Sequence, residues 1–173
     1  MVLLSDGTLK KLIEEGELGI DPEPDEIQYQ PGSIDFRLGD NYSNEHTGEI
    51  YNNVDKMVIE PGKFYLSHTQ EVIEVPDDLS VMISGRSSFG RKGLIIHATA
   101  GWVDAGFKGD VTLEIFNLSN TPIVIAPGQR VGQMMFFKMD APAEEPYGEK
   151  KDSKYQEQRG PTESRIEKDP EIK

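Results

Sequence analysis

Apolar positions in the first sixteen residues recur at helical spacing. Leu9, Leu12 and Ile13 share one face, Ser5 stands where a helix is capped, and Gly16 stands where one ends. After that the period changes to two and the runs shorten. Ile34, Phe36 and Leu38 alternate, and Pro61-Gly62 precedes Phe64-Tyr65-Leu66. Glu71 to Val75 ends at Pro76, and Leu79 to Ile83 follows. Further on come Leu94 to His97, Val111 to Phe116, Ile123 to Ile125, then Pro127-Gly128 before Val131 to Phe137. Short strands at this spacing, punctuated by turn residues, predict a mainly β chain folded as a sandwich, jelly roll or distorted barrel. No fixed-period repeat is visible, which argues against a propeller or solenoid.

Beyond Met139 the pattern stops. Ala141 to Lys173 holds Pro142, Pro146, Pro161 and Pro170, mixed charges and almost no branched aliphatics. The chain therefore divides into a β domain over 1–140 and a tail over 141–173. Low hydrophobicity predicts a disordered tail. Tyr147, Tyr155, Gln156, Gln158 and Arg159 supply stacking and hydrogen-bonding groups that a solubilising tail does not need, so a segment that orders over a ligand is the alternative. Composition alone leaves both open.

The length of 173 residues fits one domain with an appendage, and the 36% hydrophobic content suffices for a core. A net charge of −13 excludes a generic nucleic-acid binder, which needs a basic surface to displace counterions. With no cysteine, disulfides, thiolate nucleophiles and Cys-ligated zinc are excluded. No run is long and apolar enough for a membrane span, and the N-terminus lacks a leader's basic flank, so the chain reads as soluble and intracellular. The charge is uneven: Val81 to Lys138 holds three acids and six bases and is +3, leaving −16 on the rest. A basic heart in an acidic protein suits a small polyanion, although a β core with a few surface lysines has the same balance.

Three constellations carry chemistry. In Gly85-Arg86-Ser87-Ser88-Phe89-Gly90-Arg91-Lys92-Gly93, a strand feeds a helical turn whose amides and hydroxyls, with two guanidinium groups, suit a phosphate chain. The alternative is an ordinary capped turn with exposed arginines; no Walker motif is present. In His97-Ala98-Thr99-Ala100-Gly101-Trp102-Val103-Asp104-Ala105-Gly106-Phe107-Lys108-Gly109, three glycines bracket an acid and two aromatics, as in a hairpin that lets a ligand approach the backbone. Trp102 and Phe107, taken singly, read better as core anchors. In Thr112-Leu113-Glu114-Ile115-Phe116, alternation puts Glu114 opposite the Val111, Leu113 and Ile115 face. It is a proton shuttle if that face meets a cleft and a solvated charge if it meets water. His46, His68 and His97 stand far apart without the zinc-deaminase signature, so zinc hydrolysis is not expected, and His97 reads as a hydrogen-bonded core residue.

Arg86-Ser-Ser-Phe-Gly-Arg91, the His97 to Gly109 segment and Thr112-Leu-Glu114 together resemble the dCTP deaminases of the dUTPase-like superfamily. So do Gln30-Pro-Gly-Ser-Ile-Asp35, Pro127 to Gln133, Pro146-Tyr147-Gly148 and Ser153 to Pro161, and the resemblance runs over nearly the whole chain. It implies a dUTPase-like β-clip, a distorted barrel or jelly roll with a short N-terminal helix, assembled as a homotrimer with intersubunit active sites and a tail closing over the nucleotide. By the resemblance, Glu114 is the general base and acid for water attacking C4 of cytosine, and Ser87, Arg91 and the Ala100 carbonyl hold that water. Arg86, Ser87 and Ser88 take the phosphates, with Mg²⁺ bound through the triphosphate; no metal is held by the protein itself and no zinc is needed. Asp104 meets the 3′-hydroxyl and is the nearest carboxylate to orient a second water. Thr112, Leu113, Gln133, Tyr147, Lys154 and Gln158 match further nucleotide-contacting positions. The expected partners are dCTP and dUTP, with neither nucleic acid nor membrane, in the cytoplasm.

Within the family, deaminases that stop at dUTP tend to carry His-Arg after the Thr-Ala pair. Here Gly101-Trp102 stands in that place, as in the bifunctional branch that takes dCTP to dUMP, for thymidylate synthesis, and diphosphate. The tail's Gln158 to Arg165 lacks the glycine-rich closing motif of a plain dUTPase. The alternatives are a deaminase releasing dUTP, a dUTPase, or a module that binds nucleotide without catalysis. Retention of Ser87, Arg91 and Glu114 argues against the last.

Overall fold

The computed structural model describes residues 1–172. The N-terminal part contains β1 (Val2–Leu3), helix α1 (Asp6–Glu14), β2 (Gly19–Asp21), β3 (Tyr29–Gln30), β4 (Ser33–Arg37), β5 (Tyr42–Asn44), β6 (Glu49–Tyr51) and β7 (Met57–Ile59). Then come β8 (Phe64–Glu74), β9 (Leu79–Gly85), the short helix α2 (Ser87–Gly90), β10 (Leu94–Ile95), β11 (Trp102–Val103), β12 (Lys108–Asn117), β13 (Ile123–Ile125) and β14 (Arg130–Lys138). Leu9 turns into the core from α1, and Gly16 leaves the helix at φ 72°. The Ser5 hydroxyl meets that of Thr8 at 3.2 Å instead of a backbone amide.

Two six-stranded sheets form the body. One runs β11-β9-β14-β4-β3 with β1 beside β14; the other runs β10-β12-β8-β5-β6 with β2 beside β8; β7 and β13 make a separate ribbon. The sheets face one another as a jelly roll and do not close into a barrel. Between them pack Ile34, Phe36, Val81, Ile83, Met134 and Phe136 from the first sheet and Tyr65, Ile73, Leu113 and Ile115 from the second. The runs at Phe64–Leu66 and Glu71–Val75 are one strand, because the polar stretch between them, Ser67, His68 and Thr69, is itself buried. β4 is buried on both faces: Ser33 and Asp35 lie under cover with Ile34 and Phe36, so its strict alternation does not mark a solvated side.

The longest pairing positions everything that follows. β8 and β12 run antiparallel from Phe64 opposite Phe116 to Glu74 opposite Lys108, with an irregularity between Asp110 and Thr112. Beyond that bulge Leu113 and Ile115 are fully buried while Thr112, Glu114 and Phe116 are only half-buried. β10 covers just the last two residues of β12, leaving the other edge of its first half unpaired within the sheet. Unpaired strand edges are seldom left bare, and here the tail fills the gap. Glu157 donates to the Lys108 carbonyl at 2.7 Å, and the Asp110 amide donates to the Gln158 carbonyl at 3.3 Å.

Leu113 is wholly enclosed behind Glu114. Leu113→Ala should lower the unfolding free energy by about 2–5 kcal/mol, the usual cost of a core cavity. Denaturant titration measures it, and a midpoint unchanged from wild type would contradict this placement of β12.

Candidate active site

A cavity of about 460 Å³ opens where β12, the 97–107 loop and the tail converge. Its walls include Phe64, Leu66, Phe107 and Val111, so it is apolar on several sides, with Glu45, Asp104 and Glu114 as acids on the lining. Glu114 reaches it from the half-buried face of β12, which thus meets a cleft. Its Oε2 accepts two hydrogen bonds from one residue, the Thr99 amide at 2.8 Å and the Thr99 hydroxyl at 3.0 Å.

The loop that supplies Thr99 is tied at both ends. Thr99 accepts from the Gly101 amide at 2.9 Å, closing a three-residue turn with Ala100 at its apex. The Gly101 carbonyl accepts from the Ile83 amide at 2.7 Å, pinning the turn to β9. Ala100 lies on the cavity wall beside Glu114. His97 also lines it and lies outside any strand, contrary to the core position expected from its apolar neighbours. Its Nδ1 is 3.5 Å from the Glu114 amide and its Nε2 has no protein partner.

The two aromatics of the glycine-rich segment part company. Phe107 is buried, with its ring 5.8 Å from that of Tyr147. Trp102 is 48% exposed, stacking on Phe137 at 6.1 Å, and is not the core anchor expected of an isolated tryptophan. The close approach predicted for the glycines is made by the chain itself: a Cβ on Gly106 would lie 2.5 Å from Pro146, and one on Gly109 would lie 3.1 Å from the Gln158 carbonyl oxygen. Tyr147, Tyr155, Gln158, Thr162 and Ser164 of the tail complete the cavity wall. Asp110 is the main anchor, since its carboxylate accepts from the Gly160 amide at 2.7 Å and its carbonyl accepts from Gln158 Nε2 at 2.8 Å.

Of the residues singled out in the sequence, His97, Ala100, Trp102, Asp104, Phe107, Thr112, Glu114, Tyr147, Tyr155 and Gln158 line this cavity; Leu113 stands behind it in the core. Arg86, Ser87, Ser88, Arg91, Gln133 and Lys154 are not on its wall. Ser87 and Ser88 open α2, which is anchored by buried Phe89. Arg86 lies against buried Asp35, Nε to Oδ2 at 3.2 Å, and donates from NH1 to the Arg130 carbonyl at 3.1 Å. Arg130 NH1 meets the same Asp35 oxygen at 3.1 Å. Burial pushes the Asp35 carboxyl up, against the opposing pull of Arg86 and Arg130. Gln133 faces Asp35 across the β14–β4 ladder and accepts from Ser33 Oγ at 3.2 Å. A cationic strip is therefore built on the sheet of β9 and β14, and an acid-bearing cavity on the sheet of β12. Lys154 is held by Asp169 at 2.5 Å. Among the described residues no cluster of three or more His, Asp or Glu is arranged to hold a metal ion.

Thr99, Asp35 and Asp110 carry much of this geometry and were not singled out for it in the sequence. Thr99 has no charge to mark it, and Asp35 and Asp110 look like ordinary strand acids until their partners are placed.

This arrangement belongs to a known class. Residues 3–139 match the family described as dCTP deaminase-like. The chain is 44% identical to a protein of Methanobrevibacter smithii named "dCTP deaminase, dUMP-forming", over 100% of both chains. It is 40% identical to a "dCTP deaminase" of Natronomonas pharaonis, over 99% of this chain and 98% of that one. A solved 2′-deoxycytidine 5′-triphosphate deaminase of Agrobacterium tumefaciens superposes with a TM-score of 0.67 at 26% identity, covering 77% of this chain and 46% of that longer one. The dUTPase of phage phi11, a structure described as coordinating a structural Mg(II) ion, shares the fold alone: TM-score 0.55 at 15% identity, over 73% of this chain and 93% of that one. The chain belongs to the dCTP deaminase-like family, within the dUTPase-like fold.

The tail's hold on β12 can be weighed at Asp110. Asp110→Ala removes the acceptor of the Gly160 amide, a charged hydrogen bond worth about 1.5–3 kcal/mol. Amides around 156–162 should then exchange with deuterium roughly tenfold faster or more, while those of β8 keep their protection. Equal rates in mutant and wild type would contradict the anchoring role.

Proposed function

We propose that the protein hydrolyses dCTP to dUMP, ammonia and diphosphate. The observation that carries this reading is Glu114, a carboxylate on the wall of a part-apolar cavity and held by two donors, with Ala100 and Asp104 on the same wall. In this reading Glu114 takes a proton from water as the oxygen bonds to C4 of cytosine. It passes that proton to N3, takes the remaining proton of the C4 hydroxyl as the carbonyl forms and the C4–N4 bond breaks, and delivers it to the departing amine, which leaves as ammonia. The Ala100 carbonyl, with Ser87 and Arg91, orients that water, and Asp104 meets the ribose and directs a second water to the α-phosphorus.

Ser87, Arg91, Arg86 and Gln133 stand away from the cavity on one chain, which supports a homotrimer whose sites join the cavity of one subunit to the cationic strip of the next. Asp35 fits as the group that aims Arg86: it takes Nε while the Arg130 carbonyl takes NH1, which leaves NH2 for phosphate. A Mg²⁺ ion suits this protein as a passenger on the triphosphate, since hard divalent ions ride on phosphate oxygens with few protein ligands, and it would offset charge beside Arg86 and Ser88. The tail over 141–173 acts as a lid, with Tyr147 and Gln158 on the base side and Lys154 exchanging Asp169 for phosphate.

The step beyond deamination rests on Gly101. A Cβ there would sit 2.9 Å from the Ile83 carbonyl oxygen, so a histidine at this position would have to displace the turn that carries Ala100. Gly101-Trp102 is thus part of how the loop is built, which favours the dUMP-forming branch over one that releases dUTP. Single-turnover incubation with dCTP and Mg²⁺ tests it by product analysis. The expected products are dUMP and diphosphate with little free dUTP; dUTP as sole nucleotide product would leave deamination standing and overturn the second hydrolysis.

A further inference from the structure

From the geometry around Glu114, we infer that Thr99 is a positioning residue for the proton shuttle, and that it sets the Glu114 carboxylate and the Ala100 carbonyl as one unit. The inference rests on the role proposed above for Glu114.

A glutamate side chain on a strand has three torsions to fix, and a rotating carboxylate is a poor base because its lone pairs seldom face the proton. Here both donors come from one residue and converge on one oxygen, Oε2. The backbone donor fixes where that oxygen sits, and the hydroxyl adds a second direction that limits rotation of the carboxylate plane. Oε1 is left for the proton in transit.

The same residue closes the turn beneath. The Thr99 carbonyl accepts from Gly101, which places Ala100 at the apex, and Gly101 in turn holds Ile83 on β9. The atoms proposed to hold water, the Glu114 carboxylate and the Ala100 carbonyl, are therefore referenced to one another through a single intervening residue. Neither β9 nor β12 alone fixes their separation. Alanine or valine at position 99 would keep the backbone donor and the turn and lose only the hydroxyl.

Thr99→Val is nearly isosteric and isolates that hydroxyl; Thr99→Ser restores it without the methyl group. The full-length proteins are assayed for ammonia release, with thermal midpoints and dCTP binding measured alongside, and Glu114→Gln serves as the reference. Thr99→Val should lower kcat by about tenfold through loss of carboxylate orientation, with KM changed less than about twofold. Thr99→Ser should recover kcat to within about threefold of wild type, because the hydroxyl donor returns. Unaltered kcat in Thr99→Val, with Glu114→Gln inactive, would overturn the role of Thr99 and leave Glu114 standing. Equal losses in Val and Ser variants with lowered thermal midpoints would also overturn it, since that pattern marks a packing role. Near-normal turnover in Glu114→Gln would instead remove the reading on which the inference rests.

Discussion

The antiparallel pairing of β8 with β12 imposes the constraint on which the site depends. Eleven residues of one strand and ten of the other fix the position of Glu114 along the sheet, and the irregularity at Asp110–Thr112 fixes which face it takes. A strand shifted by one residue exchanges its two faces, so a different register would bury Glu114 and expose Leu113. The same strand does a second thing on its other edge. β10 covers only its last two residues, and the tail docks along the open half through Glu157, Gln158 and Gly160. Carboxylate and tail are thus both placed by β12.

Stability and chemistry ask different things of the two faces of β12. Leu113 and Ile115 join Phe36, Val81 and Phe136 in a core that needs no polar group. On the other face, a carboxylate in a part-apolar cavity needs partners, because an ionised group removed from water without them is costly. Thr99 provides two. Asp35 meets the same requirement on the opposite sheet through Arg86 and Arg130, and so keeps a guanidinium in a fixed pose instead of free in solvent. In both places the requirement to satisfy an acid drawn out of water, half-buried Glu114 or buried Asp35, also orients a neighbour that the proposed chemistry uses.

Much of this was legible in the sequence. Period-two alternation located β9, β12 and β14, and Ser5 and Gly16 bounded the first helix, because those signals are local. The family motifs marked Glu114, Ala100 and Asp104 on what became one cavity wall. What stayed hidden was relational. β8 reads as two runs because its middle is polar, and only placement shows that Ser67, His68 and Thr69 are covered. The tail's composition is that of a disordered segment, yet it finds an open strand edge that no local pattern announces. Thr99 is a plain polar residue until the turn closes and puts it under Glu114.

The central claim is that a working site joins the cavity of one subunit to the cationic strip of another. Mixing tests it directly. Glu114→Gln and Arg91→Ala proteins, each inactive alone, are unfolded and refolded together in equal amounts, and dCTP deamination is measured. Random assembly into trimers with intersubunit sites leaves roughly one site in four with both wild-type halves, so activity should return to about a quarter of the wild-type level. A mixture as inactive as its components, with mixed oligomers demonstrated, would place both halves on one chain and contradict the account.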